Sequence, residues 1–151
     1  MRFVLDASLT LAWCFMDEKT KFTAAVLEAL PGFGAAVPTI WIHEVTNGLR
    51  TAQKNKRLTE AAVGEFVNLL GLLPIHTIVI EPETMFREVR LMALEHNLSA
   101  YDATYLVLAQ TLHVPLGTLD GTGKRMGLKQ AANELGVQLL SEEHLEAWAK
   151  K

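Results

Sequence analysis

Hydrophobic and polar positions along this chain switch between two periods. Short aliphatic or β-branched runs predict strands at Arg2–Leu5, Ala35–Val37, His76–Ile80, Leu116–Leu119 and Val137–Leu140; the third, HTIVI, is bracketed by Pro74 and Pro82. The stretches between them carry helical spacing, over Ala7–Phe15 and Lys21–Leu30, with PGFG at 31–34 ending the second. Thr39 is placed to cap a helix reaching about Lys54, with Trp41, Val45, Leu49 and Ala52 on one face. Thr59 is placed to cap another, ending near Gly71, with Ala62, Phe66, Leu69 and Leu70 apolar. Glu83–His96 and Ser99–Leu112 form a helical pair with a short link at Asn97, and Ser141, with Glu143 and His144, opens a closing amphipathic helix that carries Trp148.

Strands separated by helices imply parallel pairing, because a parallel neighbour needs a crossover and a helix supplies it. The expectation is a three-layer α/β/α sandwich around a short central parallel sheet, one domain over residues 1–151, without internal repeats or long linkers. Ligands of such sheets collect at the carboxyl ends of the strands. Asp6 and Asp120 each follow a strand and so are expected at one edge.

Composition narrows the class. Half of the residues are hydrophobic and 21% are charged, the balance of a globular chain. The single Cys14 cannot form an internal disulfide and reads as a small buried hydrophobe, which fits a reducing, cytoplasmic compartment. The apolar opening is interrupted by Asp6, lacks a small-residue cleavage pattern and is too short to span a bilayer, so neither export nor a membrane is expected. A net charge of −3 argues against a nucleic-acid partner, unless several acids are gathered around cations; with four carboxylates set aside the remainder turns slightly basic. The basic residues form two groups, Arg50, Lys54, Lys56 and Arg57, then Lys124, Arg125 and Lys129, open to two readings: solvated helix ends or phosphate contacts.

Four acids carry the candidate chemistry, and each also has a plain structural reading. Asp6 suits the N-cap of the helix at Ala7. Asp120, in LGTLDGTG, suits a turn, and Thr118 shares its strand face, where a hydroxyl could support a carboxylate. Asp102, in LSAYDATYLVLAQ, suits the third position of a helix capped by Ser99, but that helix is apolar almost all round, so its carboxylate is expected to be desolvated. Glu44 lies off the core face of its helix, in line with Asn47 and Thr51, and reads either as a solvated acid or as a ligand with Asn47 one turn on. Taken as a set, two acids follow strands and two lie early in helices whose N-termini face the same edge. Converging carboxylates are what Mg²⁺ or Mn²⁺ prefers.

FVLDAS at the start, PTIWIHEVTNGL after the second strand, LSAYDATYLVLA in the middle and PLGTLD beyond it come in an order and spacing that resembles the PIN-domain family, and within it the VapC-type ribonuclease toxins, over nearly the whole chain. The resemblance implies a Mg²⁺- or Mn²⁺-dependent endoribonuclease that hydrolyses RNA to 5′-phosphate and 3′-hydroxyl ends. It puts the family's acidic quartet, catalytic and metal-binding, on Asp6, Glu44, Asp102 and Asp120, and the supporting polar groups on Ser8, Asn47 and Thr118. It further implies a homodimer held inactive by a VapB-like antitoxin. Arg50, Lys54, Lys124 and Arg125 are the candidate RNA contacts. One departure is the run GTGKRMGLKQAANELGV after Asp120, longer and richer in glycine than the compact link of the family; Lys124 and Arg125 within it either reach substrate or face solvent.

Two enzymatic alternatives fare worse. A phosphatase of the haloacid dehalogenase type needs D-x-D after its first strand, and Ser8 holds the second position; a receiver domain needs paired acids there, and Asp6 has no acidic neighbour. A catalytically silent PIN-fold module that binds RNA or protein remains the other reading. His43, His76, His96, His113 and His144 lack ligand-like spacing. Trp13, Phe15, Met16 and Phe22 are bulky enough to serve either the core or a partner surface.

Overall fold

The computed structural model describes residues 1–119 and 126–150 of the chain; Asp120, Lys124 and Arg125 lie outside them. Four strands, β1 (Phe3–Leu5), β2 (Ala35–Pro38), β3 (Ile75–Ile78) and β4 (Leu116–Gly117), pair in the order β3-β2-β1-β4, all parallel, and helices flank the sheet. Phe3, Val4 and Leu5 are wholly buried, as a central strand covered on both faces must be.

The connections explain the flanking. Between β1 and β2 run α1 (Ala7–Ala12), a 3-10 turn (Met16–Glu18) and α2 (Lys21–Phe33); between β2 and β3 run α3 (Ile40–Lys54) and α4 (Glu60–Leu72). Both crossovers move the same way across the sheet, so right-handed connections put these helices on one face. The return from β3 to β4, through α5 (Pro82–Thr84), a π turn (Met85–Val89), α6 (Arg90–Glu95) and α7 (Ala100–Leu112), covers the other, with α7 packed on β1 and β2. After β4 come α8 (Met126–Glu134) and α9 (Glu142–Ala149), the latter against α2.

The periodicity expected for α3 holds: Trp41, Val45, Leu49 and Ala52 are its buried residues. Its other anchor is Gly48. A Cβ there would come within 2.4 Å of Leu11 Cδ1, so the small residue sets how closely α3 approaches α1. In α7, every residue from Ala103 to Ala109 is buried, as its nearly unbroken apolar run requires. Trp13 and Phe15 belong to the core and Phe22 packs against it, whereas Met16 is 80% exposed. Arg57 stacks 4.1 Å over the Phe15 ring and pairs with Asp17 and Glu18 at 3.0 and 3.4 Å, which ties this member of the basic group to the 3-10 turn.

Several expectations are corrected. The helix expected to stop at PGFG runs on through Pro31 to Phe33; Gly34, at φ 65°, ends it, because the left-handed turn there favours glycine. Thr39 adopts helical angles and makes no side-chain cap, while Thr59 does cap α4, accepting from the Ala62 amide at 3.2 Å. Only Phe66 of the expected α4 face is buried. The helix over 83–96 contains the π turn. The strand at Val137–Leu140 shrinks to a single parallel bridge, Leu116 to Leu139, because β4 is two residues long and offers no ladder beyond it. Helix α8 was not expected at all; Leu128, Ala131 and Ala132 bury its inner side.

Candidate active site

Register builds the first half of the site. Leu5 pairs with Gly117 across β1 and β4, and the Asp6 amide donates to the Gly117 carbonyl at 2.9 Å, so Asp6 and Thr118 leave the sheet side by side. Asp6 occupies the N-cap position of α1 with extended angles, but its side chain makes no cap bond. Its carboxylate instead accepts from Thr118 Oγ1 at 2.6 Å and from Ser8 Oγ at 2.7 Å, both at Oδ2. Ser8 Oγ in turn accepts from the Leu119 amide at 3.1 Å and lies 3.3 Å from Thr118 Oγ1. Asp6 is 4% exposed, and a carboxylate buried that far is supported by such hydroxyl donors, which stabilise its charged form.

The backbone beneath it is also held. Thr10 Oγ1 donates to the Asp6 carbonyl at 3.1 Å and accepts from Trp41 Nε1 at 3.0 Å, so the core tryptophan of α3 braces the turn that aims Asp6.

Tyr105 links the second half. Its ring is 1% exposed, and its hydroxyl donates to Glu44 Oε2 at 2.5 Å, joining α7 to α3. Burial, then the Asp6 charge, then the hydrogen bond to Glu44 push the phenol's ionisation far upward, so it stays a donor throughout the range in which the protein works. Two acids therefore act on one buried hydroxyl. Asp102 stands one helical turn before Tyr105 on α7, and its amide donates to the capping Ser99 Oγ at 3.0 Å. Asp102 is half-buried rather than fully desolvated. The N-termini of α3 and α7 both open at the carboxyl edge of the sheet, where their dipoles favour anions.

Of the sequence candidates, Asp6, Ser8 and Thr118 touch directly, Glu44 joins through Tyr105, and Asp102 stands on the same helix as that tyrosine. Asn47 is exposed and accepts from Arg50 Nε at 3.3 Å. Arg50 and Lys54 are exposed on α3, about 9 and 15 Å along its axis from Glu44, and Lys54 sits in the last turn, where a cation offsets the helix dipole. Asp120, Lys124 and Arg125 fall outside the described residues. Among the described residues no group of three or more His, Cys, Asp or Glu side chains could hold a metal ion. The donors present are all oxygen, carboxylates backed by hydroxyls, the set that suits a hard divalent cation once a further acid joins them.

Sequence reasoning passed over Tyr105 and Thr10. The signal for Tyr105 was available: it follows Asp102 by three residues on one helix face, and a tyrosine in an otherwise apolar run needs a partner for its hydroxyl.

Residues 3–127 match the PIN domain family. Among solved structures, the crystal structure of PAE2754 from Pyrobaculum aerophilum aligns with a TM-score of 0.70 and 21% identity, over 100% of this chain and 98% of that one, a likeness that shows the fold alone. No curated protein matches the chain.

Proposed function

Because the chain belongs to the PIN-domain family, whose members are generally nucleases and typically use divalent metals, we propose that it is a Mg²⁺- or Mn²⁺-dependent endoribonuclease, the VapC-type toxin of a toxin–antitoxin pair. The observation that carries the reading is the buried Asp6 carboxylate, held by Ser8 and Thr118 at the sheet's carboxyl edge, with Glu44 brought to the same Tyr105 that feels the Asp6 charge.

An RNA phosphodiester entering an edge lined with carboxylates would be repelled by them, so the arrangement calls for a cation between the two. Asp6, with Glu44 and Asp102 nearby, would hold it only once Asp120, outside the described residues, completes the set. When bound, a divalent cation supplies Lewis acidity to the phosphoryl oxygens and lowers the pKa of water. Ser8 and Thr118 fix the direction of the Asp6 carboxylate, and Tyr105 fixes Glu44, so the oxygens need not reorganise as charge develops. Arg50, exposed on α3, is the described cation that would meet a flanking phosphate.

A cognate VapB-like antitoxin and a homodimer belong to this proposal. Val67 and Leu72 of α4, 50% and 84% exposed, are apolar positions available to such partners. No described helix is long and apolar enough to cross a membrane.

The test is cleavage of a total RNA pool in Mn²⁺, in EDTA, and by the Asp6→Asn and Asp102→Asn variants. Cutting in Mn²⁺ that is lost in EDTA and in each variant is the expected result. Cutting that persists in EDTA or in both variants refutes the mechanism, and RNA binding with no cutting by the wild type favours the silent binding module.

A further inference from the structure

A second feature of the same edge is a cavity of about 240 Å³ whose walls come from Pro38, Ile40, Ile80, Met85, Tyr101 and Thr104. We propose that it is a nucleobase subsite, which seats one unstacked base of single-stranded RNA beside the bond to be cut; the inference rests on the nuclease reading above.

Position is the first argument. Pro38 ends β2, and Asp6 directly follows β1, the strand that pairs with it in parallel, so both lie at the carboxyl edge of the sheet. Ile40 lies one turn before Glu44 on α3, and Tyr101 immediately precedes Asp102 on α7. The cavity is thus lined by the first turns of the two helices that carry Glu44 and Asp102.

Chemistry is the second. Among the described residues lining the cavity none is charged, so it would not take a phosphate, but it suits a flat, neutral ring. Tyr101 is 58% exposed, an aromatic ring left at the rim of an apolar hollow. Unpaired bases are bound by stacking on such rings. The phosphates on either side of the base have their own partners: the N-termini of α3 and α7 flank the hollow, and Thr39 adds no side-chain cap to the first.

Specificity follows from the wall. Thr104 Oγ1 donates to the Ala100 carbonyl at 2.6 Å within its own helix, so its proton is committed to the backbone and only acceptor capacity is left for a base edge. A wall of this kind holds a base by its face and reads its presence more than its identity. Tyr101 is thereby a substrate-binding residue that neither the strand ends nor the acid pattern pointed to.

The experiment compares hexauridine with a hexamer of abasic ribose phosphates of equal charge, by fluorescence anisotropy in Ca²⁺, for the wild type and for Tyr101→Ala, Tyr101→Phe and Ala100→Leu. Wild type should bind the abasic strand about 5- to 150-fold more weakly, the range that one base–aromatic stack commands. Tyr101→Ala should abolish that preference and Tyr101→Phe should keep it. Ala100, at an exposed first helical position, also lines the hollow, so Ala100→Leu should abolish the preference by narrowing that space while leaving the fold intact. Equal binding of the two strands by the wild type overturns the subsite, as does a preference that survives both Tyr101→Ala and Ala100→Leu. A dimer that Tyr101→Ala dissolves in sedimentation, without any change in base preference, assigns the hollow to a second copy and overturns it as well. Cleavage of pooled RNA in Mn²⁺, run alongside, separates the failures: cutting without base preference sinks the subsite alone, and neither binding nor cutting sinks both.

Discussion

The most exposing test of the site is Tyr105→Phe. The substitution keeps the ring that fills the core and removes one oxygen, so no cavity is opened. What is lost is the 2.5 Å hydrogen bond to Glu44, and a bond to a charged group contributes about 1.5–3 kcal/mol net. Glu44 is only half-buried, and water can reach the carboxylate once the phenol is gone, so the lower end, about 1.5 kcal/mol, is expected. Urea unfolding of metal-free wild type, Tyr105→Phe, Glu44→Gln and the double variant gives the coupling directly. A coupling of about 1 kcal/mol supports the bond; additivity within about 0.5 kcal/mol would falsify the claim that Tyr105 holds Glu44. The same variant should bind Mn²⁺ about 10- to 100-fold more weakly by calorimetry, the usual effect of releasing a residue that orients a ligand. Unchanged Mn²⁺ affinity would leave Tyr105 as a core residue and nothing more.

Three further outcomes follow from the packing and the charges. Thr118→Val removes a hydroxyl from the buried Asp6 carboxylate and should cost about 1.5–3 kcal/mol in urea unfolding, part of it regained by adding Asp6→Asn; no loss would mean that Asp6 does not depend on that donor. Gly48→Ala places a methyl against Leu11, an overpacking cost of about 1–3 kcal/mol set against up to about 1 kcal/mol of better helix propensity. It should lower the melting temperature of the wild type but not of Leu11→Ala, and a rise in the wild type refutes the close approach. Burial, partly opposed by a hydrogen bond from its own backbone, pushes the Cys14 thiol up to about 11. The folded chain therefore keeps that proton at pH values where the unfolded chain, with a thiol near 9.0, releases it, so Cys14 makes stability fall as pH rises from 9.0 to about 11. Thiol alkylation at pH 8 should be slow in the folded state and fast in urea, and equal rates would contradict the burial.

The elements that were legible in the sequence are those whose signal is local. Trp41, Val45, Leu49 and Ala52 announce the buried face of α3 because helical geometry alone brings them together. Local signals also misled where two of them competed. Pro31 looked like a helix stop, but α2 carries on through it to Phe33, and Gly34 is the residue that can turn the chain away. Helix α8 was hidden by the glycines that precede it, although Leu128, Ala131 and Ala132 repeat at helical spacing. The closing strand failed for the opposite reason, since Val137–Leu140 has strand character but β4 gives it only one bridge.

The site divides along the same line. That Asp6 ends a strand could be read from FVLDAS, but whether its carboxylate caps α1 or faces a hydroxyl could not, because both use the same residue in the same backbone conformation. The choice is made by Thr118, 112 residues away, and Thr118 arrives there only because Leu5 is paired with Gly117. A slip of one residue in that pairing would turn Thr118 to the other face of the sheet and leave Ser8, within α1, as the remaining hydroxyl donor. Tyr105 and Glu44 depend in the same way on the distance between α3 and α7, which the packed sheet between them sets. The acids are thus written locally and the partners that make them chemical groups are written in the register, which is why substitutions at Thr118 and Tyr105 test the site more sharply than substitutions at the acids themselves.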